Sequence, residues 1–511
     1  MRLDSLNIWQ RIALGALVGV VIGLVSVAVR AQDSLPATPQ NQAILQENCS
    51  PVYETITPLR NPSFDSLYLW RRVVGRNGYD WFTDYVPLDD GQFFAIGMAT
   101  PDMHEANAPR FITLLRYDKD GQVLEEQKKI EIEGLESIVK AQRIDQALYL
   151  GVNIKKAAGG YEPRLLKMSF DGAILKTLIF REDDTKLKLT DMVLDKNGVF
   201  IVSLQATKTR NDADGDAASV SYSVNTDLKK SGRRLYMPGT PNMFNSVSVN
   251  KDGSLLAAGR VQVSNTGDGR DGGWLVNLDE KGSIYWQKSF SRGAKAELVK
   301  AADYAEQGFV ALGTAWRSLR DGGEKNSALW LLLVDTDGRP KWQRFVTGGD
   351  AYSFSAVDMQ VLEDKRVMVL VNATALTPSE KVRSHIRMLM FSPQGTILDD
   401  KAYVEGSDSK AHRLTLTPEG QLRIVGDLYT GYGASDRADA INKKEEMSDV
   451  EDVKERREMS ALEEILSTKL EDGHEDVFPE LDQSASVITS TMRAWLLAIA
   501  PVGDYKNPCT P

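Results

Sequence analysis

With 511 residues, 42% hydrophobic and 26% charged, the chain is globular in composition and long enough for several domains or one large repeat array. Its formal net charge of −10 argues against nucleic acid as a partner, because phosphate binding needs a basic surface. Four histidines (His104, His385, His412, His474) and two cysteines leave little material for a transition-metal or Cys/His site.

Residues 1–31 open with Arg2 and Arg11 against a single acid, Asp4. Ile12 to Val29 then carries no charge and is followed by Val29-Arg30-Ala31 and a polar Gln32-Asp33-Ser34. A basic start, an apolar run and small residues at its end form a secretory signal peptide. The same run would span about 27 Å as a helix, against a bilayer core of about 30 Å, so an uncleaved membrane anchor is the alternative. Either reading places the remainder outside the cytoplasm, periplasmic, anchored to the inner membrane facing the periplasm, or secreted. Residues 32–63, rich in Pro, Asn and Gln, read as a tether.

From residue 64 to 509 a four-segment pattern recurs. Its first turn falls at Asp90-Gly91, Asp145-Gln146, Asn197-Gly198, Asp252-Gly253, Gln307-Gly308, Asp364-Lys365 and Glu419-Gly420, at spacings of 55, 52, 55, 55, 57 and 55 residues. Short apolar segments with turn signals at such a period mean a propeller, solenoid or array. A second turn lands on Gly121, Gly172, Gly232, Gly282, Gly338, Gly395 and, after a delay, Gly503, each preceded by an apolar strand. Trp274, Trp330 and Trp495 each stand eight residues before their glycine.

The expected fold is all-β, a seven-bladed β-propeller of four-stranded blades. The last unit stops after its third strand, and Leu67 to Gly75 supplies the fourth: Trp70-Arg71-Arg72 echoes Trp342-Gln343-Arg344 and Trp286-Gln287-Lys288. The N-terminal strand should therefore complete the last blade and remove an exposed edge. Cys49 and Cys509 flank this closure. In an oxidising compartment a disulfide between them would lock it, worth roughly 2–4 kcal/mol; the alternative is two unrelated thiols.

The wording D-x-D-G-x-x-x-W-x-R-x-x-x-G-G from Asp335 to Gly349 resembles the bacterial β-propeller repeat proteins built from D-x-G…W-x-K…G-G units, and the ring closure resembles that of WD-repeat propellers. The likeness covers residues 66 to 503 apart from one insertion. It is one of repeat architecture only, with Leu124 and Leu175 standing at the tryptophan place in drifted units. It implies a fold and no single activity, since propellers host many unrelated functions.

Loops between second and third segments should leave on one face, where binding usually sits. In the last unit this loop swells to residues 430–490. Asp436 to Asp482 holds 17 acidic and 7 basic residues, a net −10 that leaves the rest of the chain near neutral. Ser460-Ala461-Leu462-Glu463 is a capping-box pattern, with Leu462, Ile465, Leu466 and Leu470 at helical spacing. This acidic helical insertion is either a solvated excursion or a docking helix for a protein partner of the cell envelope.

Asp212, Asp214 and Asp216 alternate as Ca²⁺ ligands would, but the glycine falls one place early for an EF-hand and Ser223 replaces the bidentate glutamate, so an acidic surface turn competes. Asp84, Asp191 and Asp358 share one register on the innermost strands, seven residues before the turn's second residue, and Arg413 holds that place in the last unit. These four residues are either a polar structural lining or a ligand site in the central channel. The expectation is a monomeric, non-enzymatic binding or scaffolding module without cofactor, touching the membrane only through an uncleaved N-terminal helix. The alternative is a hydrolase or lyase working in the channel; a quinone-dependent dehydrogenase lacks an adjacent cysteine pair.

Overall fold

The repeat's Asp and Gly residues build tight turns, and these set the strand order. In a computed structural model of the chain, residues 53–55, 68–75, 78–103, 105, 108–125, 127–157, 159–208, 217–237, 239–263, 271–290, 294–316, 327–349, 351–376, 383–403, 408–430 and 491–499 are described. At the second turn, the Asp335 carboxylate accepts the N–H groups of Asp337 and Arg339 at 3.0 and 2.8 Å. Asp118 and Asp279 do the same for their turns. Such a side-chain cap satisfies donors that a two-strand turn leaves open.

The architecture is all-β and of the β-propeller type, made of antiparallel four-strand sets in chain order. The first set comprises Tyr79–Pro87, Phe93–Thr100, Phe111–Tyr117 and Lys128–Glu131. The second runs from Leu135–Ile144 to Ile174–Ile179, the third from Thr185–Leu194 to Lys230–Leu235, and the fourth from Asn242–Val249 to Ile284–Phe290. The fifth runs from Lys295–Asp303 to Pro340–Thr347 and the sixth from Tyr352–Val361 to Ile397–Tyr403. Asp408–Leu416, Leu422–Thr430 and Thr491–Ile499 follow, and Tyr68–Val74 pairs antiparallel with the last of them, Val73 opposite Trp495. The strand at the N-terminal end thus supplies the fourth place of this last set.

Burial follows position within a set. Middle strands such as Phe93–Thr100, Phe309–Trp316 and Ser327–Val334 are buried along their whole length, because neighbouring sets cover both faces. Outermost strands face water: all six residues of Lys230–Leu235 are exposed. Trp274, Trp330 and Trp495 are buried in the middle layer, as their spacing indicates.

Trp286 and Trp342 lie on outermost strands and reach forward to the next set. Trp342 Nε1 donates to Pro393 O at 3.2 Å, and Arg344 Nε to Gly395 O at 2.9 Å, with the guanidinium 5.2 Å from the Trp342 ring centre. Trp286 Nε1 donates to Thr336 O at 2.8 Å. A Cβ on Gly338, whose φ is +78°, would lie 2.8 Å from Trp286, so the turn glycine gives the indole room. Trp70 and Arg72 make the same contact with the first set: Arg72 Nε donates to Gly121 O at 2.6 Å, and a Cβ on Gly121 would lie 2.7 Å from Trp70.

Two expectations change. Strand register puts Lys176, not Leu175, opposite Lys167, the place corresponding to Trp286 opposite Asn277; Leu175 takes the unpaired bulge place that Tyr285 holds in the fourth set, and Leu175 and Leu124 are exposed. Within the tether, Tyr53–Thr55 forms a short strand paired in parallel with Pro340–Thr347 on the outer edge of the fifth set. Residues 1–31, Cys49, Cys509, Asp212, Asp214, Asp216 and the insertion with Leu462, Ile465, Leu466 and Leu470 lie outside the described residues. Among the described residues no helix is long and apolar enough to cross a membrane.

Candidate functional site in the central channel

Each innermost strand carries a β-bulge midway, between Phe82 and Asp84, Ile138 and Lys140, Leu189 and Asp191, Phe244 and Ser246, Leu298 and Lys300, Ala356 and Asp358, and Ala411 and Arg413. A bulge inserts one unpaired residue and re-aims the next side chain. Here it presents Asp84, Lys140, Asp191, Ser246, Lys300, Asp358 and Arg413 at one level. Glycines on the second strands make room: a Cβ on Gly97 would lie 2.0 Å from Trp81 O, and one on Gly426 would lie 1.9 Å from Lys410 O.

The charges pair between sets. Lys140 Nζ stands 3.1 Å from Asp191 Oδ1, Lys300 pairs with Asp358, and Arg413 Nε donates to Asp84 Oδ1 at 3.2 Å. The second oxygen of each carboxylate accepts a backbone N–H from another set: Ala141 to Asp84 at 2.8 Å, Val247 to Asp191 at 2.8 Å and Leu414 to Asp358 at 2.9 Å. Tyr85 N–H adds a further bond to Asp84 at 2.9 Å.

Burial by itself would raise the Asp358 carboxyl. The charges of Lys300 and Arg413, with the bonds from Lys300 and the Leu414 N–H, outweigh it and hold the group below its ordinary value. Burial likewise works against the Arg413 charge, and the carboxylates of Asp84, Asp358 and Asp191 overcome it, so its pKa is raised. Both groups are held in their charged forms.

The structure thus brings together all four channel residues expected from sequence, Asp84, Asp191, Asp358 and Arg413. Lys140 and Lys300 escaped the register because one turn is shorter and the other carries its glycine at a different place. The turn after Lys140 is one residue shorter than the others, while the turn after Lys300 has the ordinary length and carries its glycine one place later, at the residue whose carbonyl closes the turn, so counting back from the turn misses both. Aligning on the apolar residue before each bulge would have found them.

Beyond the ring lies a cavity of about 620 Å³, on the side where the innermost strands run into their first turns. Asp84, Lys140, Lys300 and Arg413 line its inner end, and Gln142, Gln360 and Thr415 its wall. Arg143 and Asp89 pair at its rim at 2.5 Å. The mouth therefore faces away from the long loops. Of the histidines, His412 lies 3.3 Å from Asp427, and His385 is fully buried against Tyr352. Among the described residues no three His, Cys, Asp or Glu side chains are grouped to hold a metal ion.

No protein-family model and no curated protein matches the chain. It is similar to the β-propeller domain of the trilobed protease from Pyrococcus furiosus, with TM-score 0.39 and 6% identity over 68% of this chain and 91% of that one. It is similar also to a protein of unknown function from Dyadobacter fermentans, with TM-score 0.38 and 11% identity over 72% of this chain and 95% of that one. Puromycin hydrolase matches with TM-score 0.38 and 13% identity over 72% of this chain, which spans only 52% of the hydrolase.

Proposed function

We propose that the protein is an exported seven-bladed β-propeller that serves as a non-enzymatic binding module of the cell envelope. The observation that carries this reading is the saturation of the charged ring. Every carboxylate in it is bonded to a cation and to backbone N–H groups of another set. General acid–base work needs a group that exchanges its proton near neutral pH, whereas Asp358 and Arg413 are held charged. The ring is then a structural lock between blades, and a hydrolase or lyase using it would have to break that lock to work.

Closure into seven blades is supported by the last set's packing on the first. Arg413 bonds Asp84, Arg423 donates to Lys119 O at 2.9 Å, and Tyr79 pairs with Met492. Export is supported by the basic-then-apolar start of the sequence. The partner-binding element is the acidic insertion, in whose sequence Leu462, Ile465, Leu466 and Leu470 follow the spacing of one helix face.

Crosslinking in intact cells tests this, comparing the full chain, a deletion of residues 436–482 and the double substitution Leu462→Asp/Leu466→Asp. The expected result is an envelope protein captured by the full chain and lost from both variants. Capture unchanged by both variants would refute the insertion as the docking element. Turnover of a substrate by the purified chain, abolished by Asp358→Asn, would replace this reading with the enzymatic one.

A further inference from the structure

The strand Tyr53–Thr55 lies on the outer edge of the fifth set, and Tyr68–Val74 on the outer edge of the last. Twelve residues join them, and fully extended they span at most about 45 Å. The sixth set stands between these two edges, sharing one apolar core with the fifth and another with the last. The opposite route, past the first four sets, takes five inter-sheet steps of more than about 10 Å each at the outer edges. The joining segment is too short for that route, so it passes the sixth set. Its ends lie on opposite faces. Thr55 is level with Thr347, at the long-loop end of its strand, and Tyr68 with Ile499, at the first-turn end. The segment therefore crosses the outer strand Ile397–Tyr403 obliquely and does not follow a rim.

Burial on that strand is a second, independent observation. Among the described strands it pairs only with Ser384–Phe391, yet none of its seven residues is exposed. Ile397, Leu398 and Tyr403 owe this to the cores shared with the neighbouring sets, and Asp400 is paired with Arg387. Asp399 and Lys401 belong to neither core and are half-buried as well. At the corresponding places Gln287 and Lys288 in the fourth set, and Arg233 and Arg234 in the third, are exposed. The match is with the fifth set, whose edge carries Tyr53–Thr55: there Gln343 is half-buried and Arg344 buried. Shielding of the outer edge thus continues from the fifth set onto the sixth.

We propose that the outer strand of the sixth set is the docking surface of residues 56–67. Paired on the fifth edge, laid across the sixth set and completing the last, residues 53–74 then form one strap over three consecutive sets. Ile56, Leu59, Phe64 and Leu67 supply apolar side chains for the contact, and Pro58 and Pro62 favour an extended backbone. The strap also fixes where the N-terminal segment departs. Tyr53–Thr55 runs parallel to Pro340–Thr347, so the chain before Tyr53 heads toward the cavity-mouth face. With the export reading above, on which this orientation alone rests, an N-terminal anchor would sit on that side, and the long loops and the insertion would face away from the membrane.

Hydrogen exchange of the purified full chain tests the proposal, against a variant in which Gly and Ser replace residues 56–67 at equal length. Exchange in Ile397–Tyr403 is expected to quicken about tenfold in the variant, while Lys230–Leu235, an outer strand remote from the segment, stays unchanged. Trypsin under native conditions gives a second readout, because Arg60 is the one Lys or Arg between Arg30 and Arg71. Cleavage after Arg60 should be about tenfold slower in the full chain than in Leu59→Asp/Phe64→Asp. If the Gly/Ser variant lacks a native unfolding transition, the trypsin comparison decides the matter. Unchanged exchange in Ile397–Tyr403 of a folded variant overturns the proposal, and so does equal cleavage of the two chains. Exchange there that quickens on dilution of the unaltered chain assigns the cover to a second copy and overturns it too. Neither readout depends on export or on the insertion, so a failure here is separable from a failure of the crosslinking experiment.

Discussion

His385 shows how far one buried side chain couples this fold to pH. It is fully buried against Tyr352, and neither ring nitrogen has a hydrogen-bond partner among the described residues. Burial, reinforced by the Arg387 charge, lowers its pKa from 6.5 to about 4. The unfolded chain therefore takes up the proton first. Stability is intact above the unfolded value and falls as pH drops toward the folded one, by about 2 kcal/mol between pH 7 and 5. Urea unfolding at the two pH values should show this loss, and His385→Leu should flatten it; an equal loss in the variant would assign the acid sensitivity elsewhere. Backbone proximity sets a second residue-scale limit. Gly426→Ala drives a Cβ to within 1.9 Å of Lys410 O and should cost about 3 kcal/mol. Gly232→Ala meets nothing nearer than 3.4 Å and should change stability by less than about 0.5 kcal/mol.

Among the elements, the strand Tyr68–Val74 depends on contacts with two neighbours. Its backbone pairs with Thr491–Ile499, while Trp70 packs on the first set, parallel to Phe93 at 6.1 Å between ring centres and beneath the Arg423 guanidinium at 4.6 Å. Removing this ring should release the strand before the rest of the protein opens. Trp70→Ala is expected to cost about 2–3 kcal/mol, less than a fully buried Trp→Ala because the indole is half-buried. Hydrogen exchange in Thr491–Ile499 should accelerate more than in the fourth set. Equal protection in both would mean that backbone pairing alone holds the strand. Trp342→Ala removes the corresponding contact between the fifth and sixth sets and should leave exchange in Thr491–Ile499 unchanged.

For the whole molecule, the ionic ring ties together sets that are remote in sequence. Arg413 and Asp84 are 329 positions apart and in direct contact. Arg413→Met leaves carboxylates buried without their cation, which costs about 3–5 kcal/mol, whereas removing both charges of such a pair is often near neutral. The double substitution Asp84→Asn/Arg413→Met should therefore recover at least half of the loss, as read by a double-mutant cycle in urea. Additive losses would show that the two residues act separately. Asp358 sets the acid side of the same lock. Its folded pKa lies below the unfolded value, so its contribution is present at neutral pH and fades as pH falls through the folded value.

Repeat period, turn positions and the strand-completing echo of Trp70-Arg71-Arg72 were legible in the sequence because each depends on local chemistry. An aspartate caps its own turn, a glycine takes positive φ, and apolar runs mark strands covered on both faces. The shared register of Asp84, Asp191, Asp358 and Arg413 was legible for the same reason, wherever the turns have equal length and place the glycine alike. Lys140 and Lys300 were not, because the turn after Lys140 is one residue shorter and the glycine after Lys300 stands one place later in a turn of ordinary length, and neither change alters the apolar pattern around it. Nor could the sequence assign Trp286 and Trp342 to contacts between sets, or show that the ring's carboxylates turn to backbone N–H groups while its cations face the cavity. Those features depend on how bulged strands from different sets converge on one axis, and only the tertiary structure brings them together.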